Sequence, residues 1–175
     1  MKKILVIIDM QNDFIDGTLG SAQAIEIVPK TVEKIKAHEG DIFLTLDTHY
    51  ENYMETSEGA KLPVPHCIKG TNGHEINPVI KDALSDKIYT TVEKNTFGSI
   101  ALPRIIEEDY NTEEISFELC GLCTDICVVS NALLLKAYFP EVPISVDASC
   151  CAGVTPEKHK AALETMRSCQ IDITE

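Results

Sequence analysis

The sequence predicts an α/β protein built on an open, mostly parallel β-sheet with helices on both faces, a three-layer, doubly wound arrangement. Short apolar runs of strand length alternate with segments of helical periodicity along the chain, which is the pattern of βαβ units. The first run, Lys3–Ile8, is apolar at almost every position, as expected for a strand covered on both faces. With 175 residues, 44% of them hydrophobic and 25% charged, the chain fits one globular domain spanning residues 1–175.

The first half of the chain predicts two strands and two helices in alternation. In order, these are a strand over Lys3–Ile8 that ends at Asp9, a helix that begins at Pro29 and stops at Gly40, a strand over Ile42–Leu46 that ends at Asp47, and a helix capped by Asn77 and begun by Pro78. The stretch 48–77 carries Gly, Pro, Tyr and His without sustained periodicity. Because loops of that length are uncommon in compact domains, we expect this one to cover a functional site.

The second half of the chain continues the alternation. The predicted elements are a strand over Lys87–Val92 that leads to Lys94, a short helix around Ser99–Glu108, a strand from Ile115 to Cys120, the helix that carries Cys127, a strand over Ile144–Ala148, a helix from Thr155 to Ser168 and an edge strand over Ile171–Ile173. In an open parallel sheet, ligands bind beyond the carboxyl ends of the strands. The residues that follow each strand are therefore the first candidates for a site.

The stretch around Cys127 has the pattern of a strand that breaks sharply into a helix. Alternate positions from Ile115 are apolar, Gly121 breaks the run, and Thr124 and Asp125 supply N-cap chemistry for the helix that follows. Cys127 then lies in the first turn, where the helix dipole and unpaired N–H groups favour the reactive thiolate and can stabilise an oxyanion. We predict Cys127 as a catalytic nucleophile, with an inert buried cysteine as the open alternative.

A second interpretation competes in the same stretch, because Cys120 and Cys123 form a C-x-x-C motif. Redox pairs and zinc knuckles both use that spacing. A zinc knuckle needs a second ligand pair at comparable spacing, and the other close cysteines, Cys150 and Cys151, are adjacent to each other. Redox motifs usually place their first cysteine at the start of a helix, whereas Cys120 ends a strand. The redox reading is therefore the weaker alternative.

Four polar residues follow four successive predicted strands: Asp9, Asp47, Lys94 and Cys127. Because the strands are parallel, we expect all four side chains to meet at one edge of the sheet. A nucleophilic cysteine needs a base to take its proton and a cation to hold the thiolate. Asp9 and Lys94 are the candidates for these two functions.

Possible metal ligands occur at the end of the second strand and in the long loop. Asp47 and His49 are two residues apart, so their side chains face the same way if the extended backbone continues. Glu58 and His66 would complete a set of oxygen and imidazole ligands, which suits zinc, iron or manganese without choosing between them.

Composition excludes several other classes of protein. The formal charge is −13, and no basic run could form a phosphate-binding surface, so nucleic acid is not an expected partner. No apolar stretch approaches the ~20 residues needed to span a bilayer, so no membrane partner is expected. Seven cysteines, an odd number, without a secretory signal indicate a reducing compartment, and we expect the cytoplasm. We further expect a small-molecule substrate and a homo-oligomer.

Five motifs occur in order along nearly the whole chain: MQNDF after the first strand, DTH, PHCIKGTNG, the lysine of EKNTFGS, and GLCTDICV. Together they resemble the isochorismatase-like cysteine hydrolases and, within them, the nicotinamidases. The resemblance implies a six-stranded parallel sheet and a catalytic triad of Asp9, Lys94 and Cys127. It also implies a cis peptide between Leu122 and Cys123, and an oxyanion hole formed by the amides of Cys123 and Cys127.

The resemblance also implies a metal site, which isochorismate hydrolases proper lack. DTH and PHC match the nicotinamidase pattern and map ligands onto Asp47, His49 and His66. Glu55 stands where many nicotinamidases have a third histidine, and Glu58 falls where some relatives use a glutamate. The expected cofactor is a divalent metal, with zinc ahead of iron or manganese.

The substrate pocket departs from the family pattern, because Pro63 stands where a tryptophan is frequent and the chain contains no tryptophan. Phe14 and Phe97 remain as aromatic residues that could pack against a substrate ring. We therefore predict an amidohydrolase that releases ammonia from nicotinamide, or a closely related small amide, through a thioester at Cys127. The alternatives are a family hydrolase acting on another small amide, carbamoyl or vinyl-ether substrate, a thiol redox protein, and a catalytically silent binding module.

Overall fold

A computed structural model describes all residues of the chain, Met1–Glu175. Its strands are β1 (Lys2–Ile8), β2 (Ile42–Asp47), β3 (Tyr89–Lys94), β4 (Ile115–Leu122), β5 (Ile144–Ala152) and β6 (Asp172–Thr174). All five neighbouring pairs are parallel, and the strand order is β3-β2-β1-β4-β5-β6. The predicted doubly wound α/β class, with six parallel strands, is confirmed.

The helices are α1 (Asn12–Ile15), α2 (Ala22–Ala37), α3 (Ser57–Lys61), α4 (Pro78–Ala83), α5 (Ala101–Asp109), α6 (Val129–Tyr138) and α7 (Pro156–Ser168). Connections between parallel strands are right-handed, so α2 and α4 lie on one face of the sheet and α5, α6 and α7 on the other. Contacts agree, since α2 packs on α4, and α6 packs on both α5 and α7. None of these helices combines the length and the apolar character needed to cross a bilayer.

Strand β1 lies at the centre of the core because both of its faces are covered. Residues from Ile4 to Ile8 are all completely buried. This confirms the interpretation of the first apolar run. The strand order reverses direction beside β1, between β1 and β4, and such a switch point opens a crevice at the carboxyl ends of the strands.

The predicted helix start at Pro29 is wrong. Helix α2 begins about two turns earlier, at Ala22, because the side chain of Ser21 accepts a hydrogen bond from the N–H of Ala24 at 3.0 Å and caps it. Pro29 lies inside the helix on its exposed face. There the proline ring removes one backbone hydrogen bond but disturbs no core packing.

The two strands next to the site are longer than predicted. Strand β4 continues through Gly121 to Leu122, and β5 extends to Ala152. The register between them shifts after Leu119, and Gly121 then pairs with Cys151. Gly121 has a φ of +121°, and a Cβ there would lie 2.1 Å from the carbonyl oxygen of Ile8, so only glycine lets the strand continue.

Candidate active site and metal centre

Asp9 follows β1 directly and is completely buried. Its backbone adopts a left-handed conformation with φ of +48°, which turns the chain sharply at the strand end. Thr45 on the neighbouring strand donates its hydroxyl hydrogen to Asp9 Oδ1 at 2.6 Å. Burial raises the pKa of Asp9, although the positive charge of Lys94 acts in the opposite direction.

Lys94 is the last residue of β3 and connects three other polar groups. Its ammonium lies 2.7 Å from Asp9 Oδ2 and 3.3 Å from Asp47 Oδ1, and it donates to Cys127 Sγ at 3.5 Å. Burial opposes the charged form, but the charges of Asp9, Cys127 and Asp47 outweigh it and raise the pKa of Lys94. The structure therefore brings together the four residues that the sequence places after four successive strands.

Cys127 lies in a π-helical turn, Thr124–Val128, that joins β4 to α6. The predicted N-cap function of Thr124 and Asp125 is wrong, because Cys123 occupies the cap position and no side chain caps the turn. Thr124 Oγ1 instead lies 2.8 Å from His159 Nδ1 on α7. The peptide between Leu122 and Cys123 is cis, as the family resemblance implies.

The thiol of Cys127 is buried, with 4% of the residue exposed. Burial raises its pKa, the carboxylate of Asp9 adds to this, and the ammonium of Lys94 only partly offsets both. Burial and the charge of Asp9 therefore oppose the thiolate that the helix end is expected to favour. Formation of the thiolate needs a proton acceptor next to the sulfur.

Cys120 and Cys123 are both free thiols, and neither has an environment that favours a thiolate. Burial raises the pKa of Cys120 well above its usual range. Burial and the negative charges of Asp125 and Asp9 raise the pKa of Cys123 to about 12. Redox motifs need a low thiol pKa, so this environment does not support the redox alternative.

Asp47, His49 and His66 form a compact group of potential metal ligands. One ligand atom from each lies within 4.8 Å of the others, and all three residues are buried. The Nε2 atoms of His49 and His66 lie 3.1 Å and 3.4 Å from Asp47 Oδ2. Burial opposes ionisation of Asp47, but hydrogen bonds from both histidines and the charge of Lys94 outweigh it, and its pKa is lowered. An ionised carboxylate next to two imidazoles is a donor set suited to a divalent transition metal.

Glu58 lies beside this group but outside its compact core. Its Oε1 is 3.8 Å from His49 Nε2 and 3.6 Å from His66 Nε2. It belongs to α3, which Thr56 caps by accepting from the N–H of Gly59 at 3.0 Å. Burial raises the pKa of Glu58, and the charge of Asp47 adds to this. Glu55 is exposed.

Two residues that support this centre were missed by the sequence analysis. Tyr53 is 1% exposed, and its ring centroid lies 4.8 Å from that of His49 and 5.1 Å from that of His66. The side chain of Gln11 holds the backbone of Asp47, accepting from its N–H at 2.8 Å and donating to its carbonyl at 2.8 Å. Neither residue has a side chain typical of metal ligands, so its position next to the potential ligands is visible only in the folded structure.

A cavity of about 960 Å³ joins the thiol to the potential metal centre. Cys127 and His66 both line it, and the predicted aromatic residues lie on its wall. The ring of Phe14 is packed 5.5 Å from that of His66, whereas Phe97 is 47% exposed. The loop after β2 covers this cavity, as its length predicts.

Comparisons with known proteins place these features in a family. The model of the isochorismatase domain matches residues 3–175. The chain is 25% identical over 188 residues to the nicotinamidase/pyrazinamidase of Mycobacterium tuberculosis, covering 98% of this chain and 97% of that protein. The crystal structure of nicotinamidase/pyrazinamidase PncA from Bacillus subtilis superimposes with a TM-score of 0.84 at 29% identity, over 100% of both chains.

A second structure, the pyrazinamidase of Pyrococcus horikoshii in complex with zinc, has the same fold. It superimposes with a TM-score of 0.79 at 23% identity and covers 100% of this chain and 99% of that one. The family match over almost the full length agrees with the six-stranded parallel sheet and with the polar groups at its carboxyl edge. The chain belongs to the isochorismatase family.

Proposed function

We propose that this protein is an amidohydrolase that converts nicotinamide to nicotinic acid and ammonia, with Cys127 as nucleophile. The observation that carries the proposal is the position of the Lys94 ammonium, which contacts Asp9, Asp47 and Cys127. Asp47 and Cys127 line one cavity. A base, a cation and a thiol in contact are the parts that nucleophilic amide hydrolysis needs. Relatives at 25% and 29% identity over nearly the whole chain bear the name nicotinamidase.

In the proposed mechanism, Asp9 accepts the proton of the Cys127 thiol while the sulfur attacks the amide carbon. Oδ2 of Asp9 is the oxygen that pairs with the Lys94 ammonium, which also contacts the thiol. The tetrahedral intermediate then expels ammonia, which leaves with the proton that Asp9 returns. A water molecule activated by the same carboxylate hydrolyses the thioester and restores the thiol. Lys94 keeps its charge throughout and balances the anions that form beside it.

The amides of Cys123 and Cys127 are the proposed donors to the oxyanion of the tetrahedral intermediate. The N–H of Cys123 donates to no backbone carbonyl in the protein. Cys123 and Cys127 both line the cavity next to the attacking sulfur. Preorganised N–H donors at this position stabilise the charge that develops on the carbonyl oxygen.

Asp47, His49 and His66 would hold a divalent metal, and Glu58 is the adjacent candidate for a further ligand. The fit follows from the donor set, since a buried ionised carboxylate and two imidazoles lie within 4.8 Å of one another. His66 Nδ1 lies 2.8 Å from the carbonyl oxygen of Val64, which fixes Nε2 as the nitrogen that faces the centre. When bound, the metal supplies an electrophilic anchor for a ring nitrogen of the substrate. Zinc is the first metal to test.

Phe14 and Phe97 are the proposed walls for the pyridine ring. The buried ring of Phe14 lies next to His66, and the more exposed Phe97 lies at the cavity wall. The homo-oligomer predicted from the sequence remains a prediction.

The test is ammonia release by the zinc-loaded protein from nicotinamide and from benzamide, which has the same shape but lacks the ring nitrogen. We expect nicotinamide to be preferred by at least about a hundredfold in kcat/KM, because a site built around a polar group rejects an analogue that lacks it. Equal rates with the two substrates would show that the metal does not orient the substrate through its ring nitrogen. Release from a carbamoyl compound but not from nicotinamide would favour the other branch of the family, and release from no amide would favour a silent binding module.

A further inference from the structure

We infer that Thr45 is a positioning residue for the proposed reaction: by occupying Oδ1 of Asp9, it directs proton transfer from Cys127 to Oδ2. This inference rests on the proposed function, because Asp9 must be the proton acceptor. Thr45 touches neither the cavity nor the thiol, and it would act only through the carboxylate that it holds.

Thr45 contacts Asp9 twice. The parallel register places Thr45 opposite Ile8, the last residue of β1. The backbone N–H of Asp9 donates to the carbonyl of Thr45 at 3.2 Å, and the hydroxyl of Thr45 donates to Asp9 Oδ1 at 2.6 Å. Asp9 is thus held at its main chain and at its side chain by the same residue, which matters because its left-handed backbone, with φ of +48°, is a conformation that few non-glycine residues adopt.

The two oxygens of Asp9 have different environments. Oδ1 receives the Thr45 hydroxyl in a short hydrogen bond, whereas Oδ2 pairs with the Lys94 ammonium at 2.7 Å. Both Thr45 and Asp9 are completely buried, so water cannot replace either contact. The Thr45 hydroxyl therefore fixes the carboxylate so that Oδ2 is the oxygen turned towards Lys94, which in turn contacts the thiol. In the step that Thr45 would direct, the S–H bond of Cys127 breaks and an O–H bond forms at Oδ2. The sulfur electron pair forms the C–S bond while the π pair of the amide C=O moves to the carbonyl oxygen.

Removing the hydroxyl should have two separable effects. The carboxylate could rotate and exchange its oxygens, which would lower kcat. The Thr45 hydrogen bond also stabilises the charged form of Asp9, so its loss should move the acid limb of the kcat/KM profile to higher pH. The titratable groups facing this carboxylate are Lys94, Asp47 and the Cys127 thiol.

The experiment compares Thr45→Val with Thr45→Ser in the metal-loaded enzyme, using ammonia release from nicotinamide. We expect Thr45→Val to lower kcat by about tenfold to about a hundredfold, since hydrogen bonds to charged groups are the stronger ones. KM and metal content should stay unchanged, and Thr45→Ser should retain most of the activity. If Thr45→Val does not fold, Thr45→Ser against Thr45→Ala gives the same contrast, because the two differ in size only by the hydroxyl oxygen.

Thr31→Val is the matched control. Thr31 is also completely buried and donates its hydroxyl hydrogen, but to the carbonyl of Ile27 within α2. It should cost stability without changing kcat or the pH profile. Equal kcat values for the valine and serine variants at position 45, in an active wild-type enzyme, would overturn the inference. A wild-type enzyme that releases no ammonia from nicotinamide would instead overturn the proposed function.

Discussion

The two halves of the site are built in different ways. Asp9 and Lys94 lie at strand ends, and Cys127 lies in the turn that follows a strand, so the sheet itself holds the proposed catalytic groups. His66 and Glu58 come from the loop after β2, which contains only short helical turns. Asp47 belongs to both halves, because one of its oxygens contacts Lys94 and the other contacts the histidines.

The difference shows what each half depends on. Backbone pairing in the sheet positions the first group before any side chain contributes. The second group needs side chains to hold the loop, for example Asp13, whose Oδ2 accepts from the N–H of Cys67 at 2.8 Å next to His66. We therefore expect variants of the first half to lose chemistry while keeping the metal, and variants of the second half to lose the metal while keeping the fold.

The largest effect should come from Cys127→Ala. Loss of the proposed nucleophile should lower kcat by at least about 10³-fold, because the thioester of the proposed mechanism forms on this sulfur. Metal content should not change, since Cys127 contacts Lys94 and not the metal ligands. Cys120→Ala is the control, because that thiol is completely buried and does not line the cavity. Steady-state ammonia release measures both, and comparable losses in the two variants would bring back the redox alternative.

Asp9→Asn should cost nearly as much as Cys127→Ala, because the amide cannot accept the thiol proton. The variant keeps the shape of the side chain and can still receive the Thr45 hydrogen bond at Oδ1. Residues that act as a unit show strongly non-additive losses, so the double variant should be little slower than either single one. Losses that multiply would show that Asp9 and Cys127 act in separate steps.

The strand-end half could be predicted from the sequence, because parallel strands bring their carboxyl ends to one edge and a polar residue after each strand is visible in the pattern. Asp9, Asp47, Lys94 and Cys127 were found in this way, and the structure brings them into contact. The direction in which the pKa of Cys127 shifts was not predictable from the sequence. Burial and the charge of Asp9 raise this pKa, a helix end lowers it, and the balance depends on the tertiary packing.

The loop-borne half was accessible mainly through family resemblance. Nothing in the periodicity of residues 48–77 places Glu58 or His66 near Asp47, and their meeting depends on folded turns. The contacts of Tyr53 and Gln11 with the potential metal ligands were not predicted, because a buried aromatic ring and a buried amide have no distinctive spacing in a sequence. The helix start at Pro29 was wrongly predicted, because a proline inside a helix on its exposed face looks in the sequence like a proline in the first turn.

His49→Ala should remove the metal and lower activity on nicotinamide, with a smaller loss than Cys127→Ala. The variant deletes one of two imidazoles from a three-residue group, while Asp9, Lys94 and Cys127 keep their positions. We expect less than a tenth of the wild-type metal content after purification without chelator, by elemental analysis, because protein ligands set the affinity of such sites. Iodoacetamide should still label Cys127 at close to the wild-type rate. A slower labelling rate would mean that the group of potential metal ligands also affects the position or reactivity of the Cys127 thiol.

Glu58→Gln should have a smaller effect, and Glu55→Gln is its matched control on the same loop. Glu58 lies within 3.8 Å of both histidines but outside the compact group, whereas Glu55 is exposed. We expect metal affinity to fall by about tenfold to about a hundredfold for Glu58→Gln, as for groups that support metal ligands, and not to change for Glu55→Gln. Competition with a chelator of known affinity measures both. Unchanged affinity in Glu58→Gln would leave three protein ligands.

The smallest expected effect concerns the pH dependence of stability in the metal-free protein. Burial lowers the pKa of His66, but the hydrogen bond and charge of Asp47 outweigh it, and the net shift is upward. A histidine with a raised pKa contributes stability that is fully present below its unfolded pKa of about 6.5, and this contribution is lost as the pH rises through the folded value. His159 has the opposite shift, because burial lowers its pKa. Its contribution is present above about 6.5 and is lost as the pH falls through the folded value.

Two variants should therefore change the pH dependence in opposite directions. Relative to wild type, chelator-treated His66→Gln should lose more stability at pH 6 than at pH 8, whereas His159→Gln should lose more at pH 8 than at pH 6. Urea unfolding at the two pH values measures the difference, and each shift should be about 1 kcal/mol or less, since one pKa unit corresponds to about 1.36 kcal/mol. Adding zinc should stabilise the wild-type protein more at pH 8 than at pH 6, because metal ligands must be deprotonated and zinc affinity therefore rises with pH. If His66→Gln has the same free energy of unfolding as wild type at both pH values, the interaction of His66 with Asp47 does not contribute to stability.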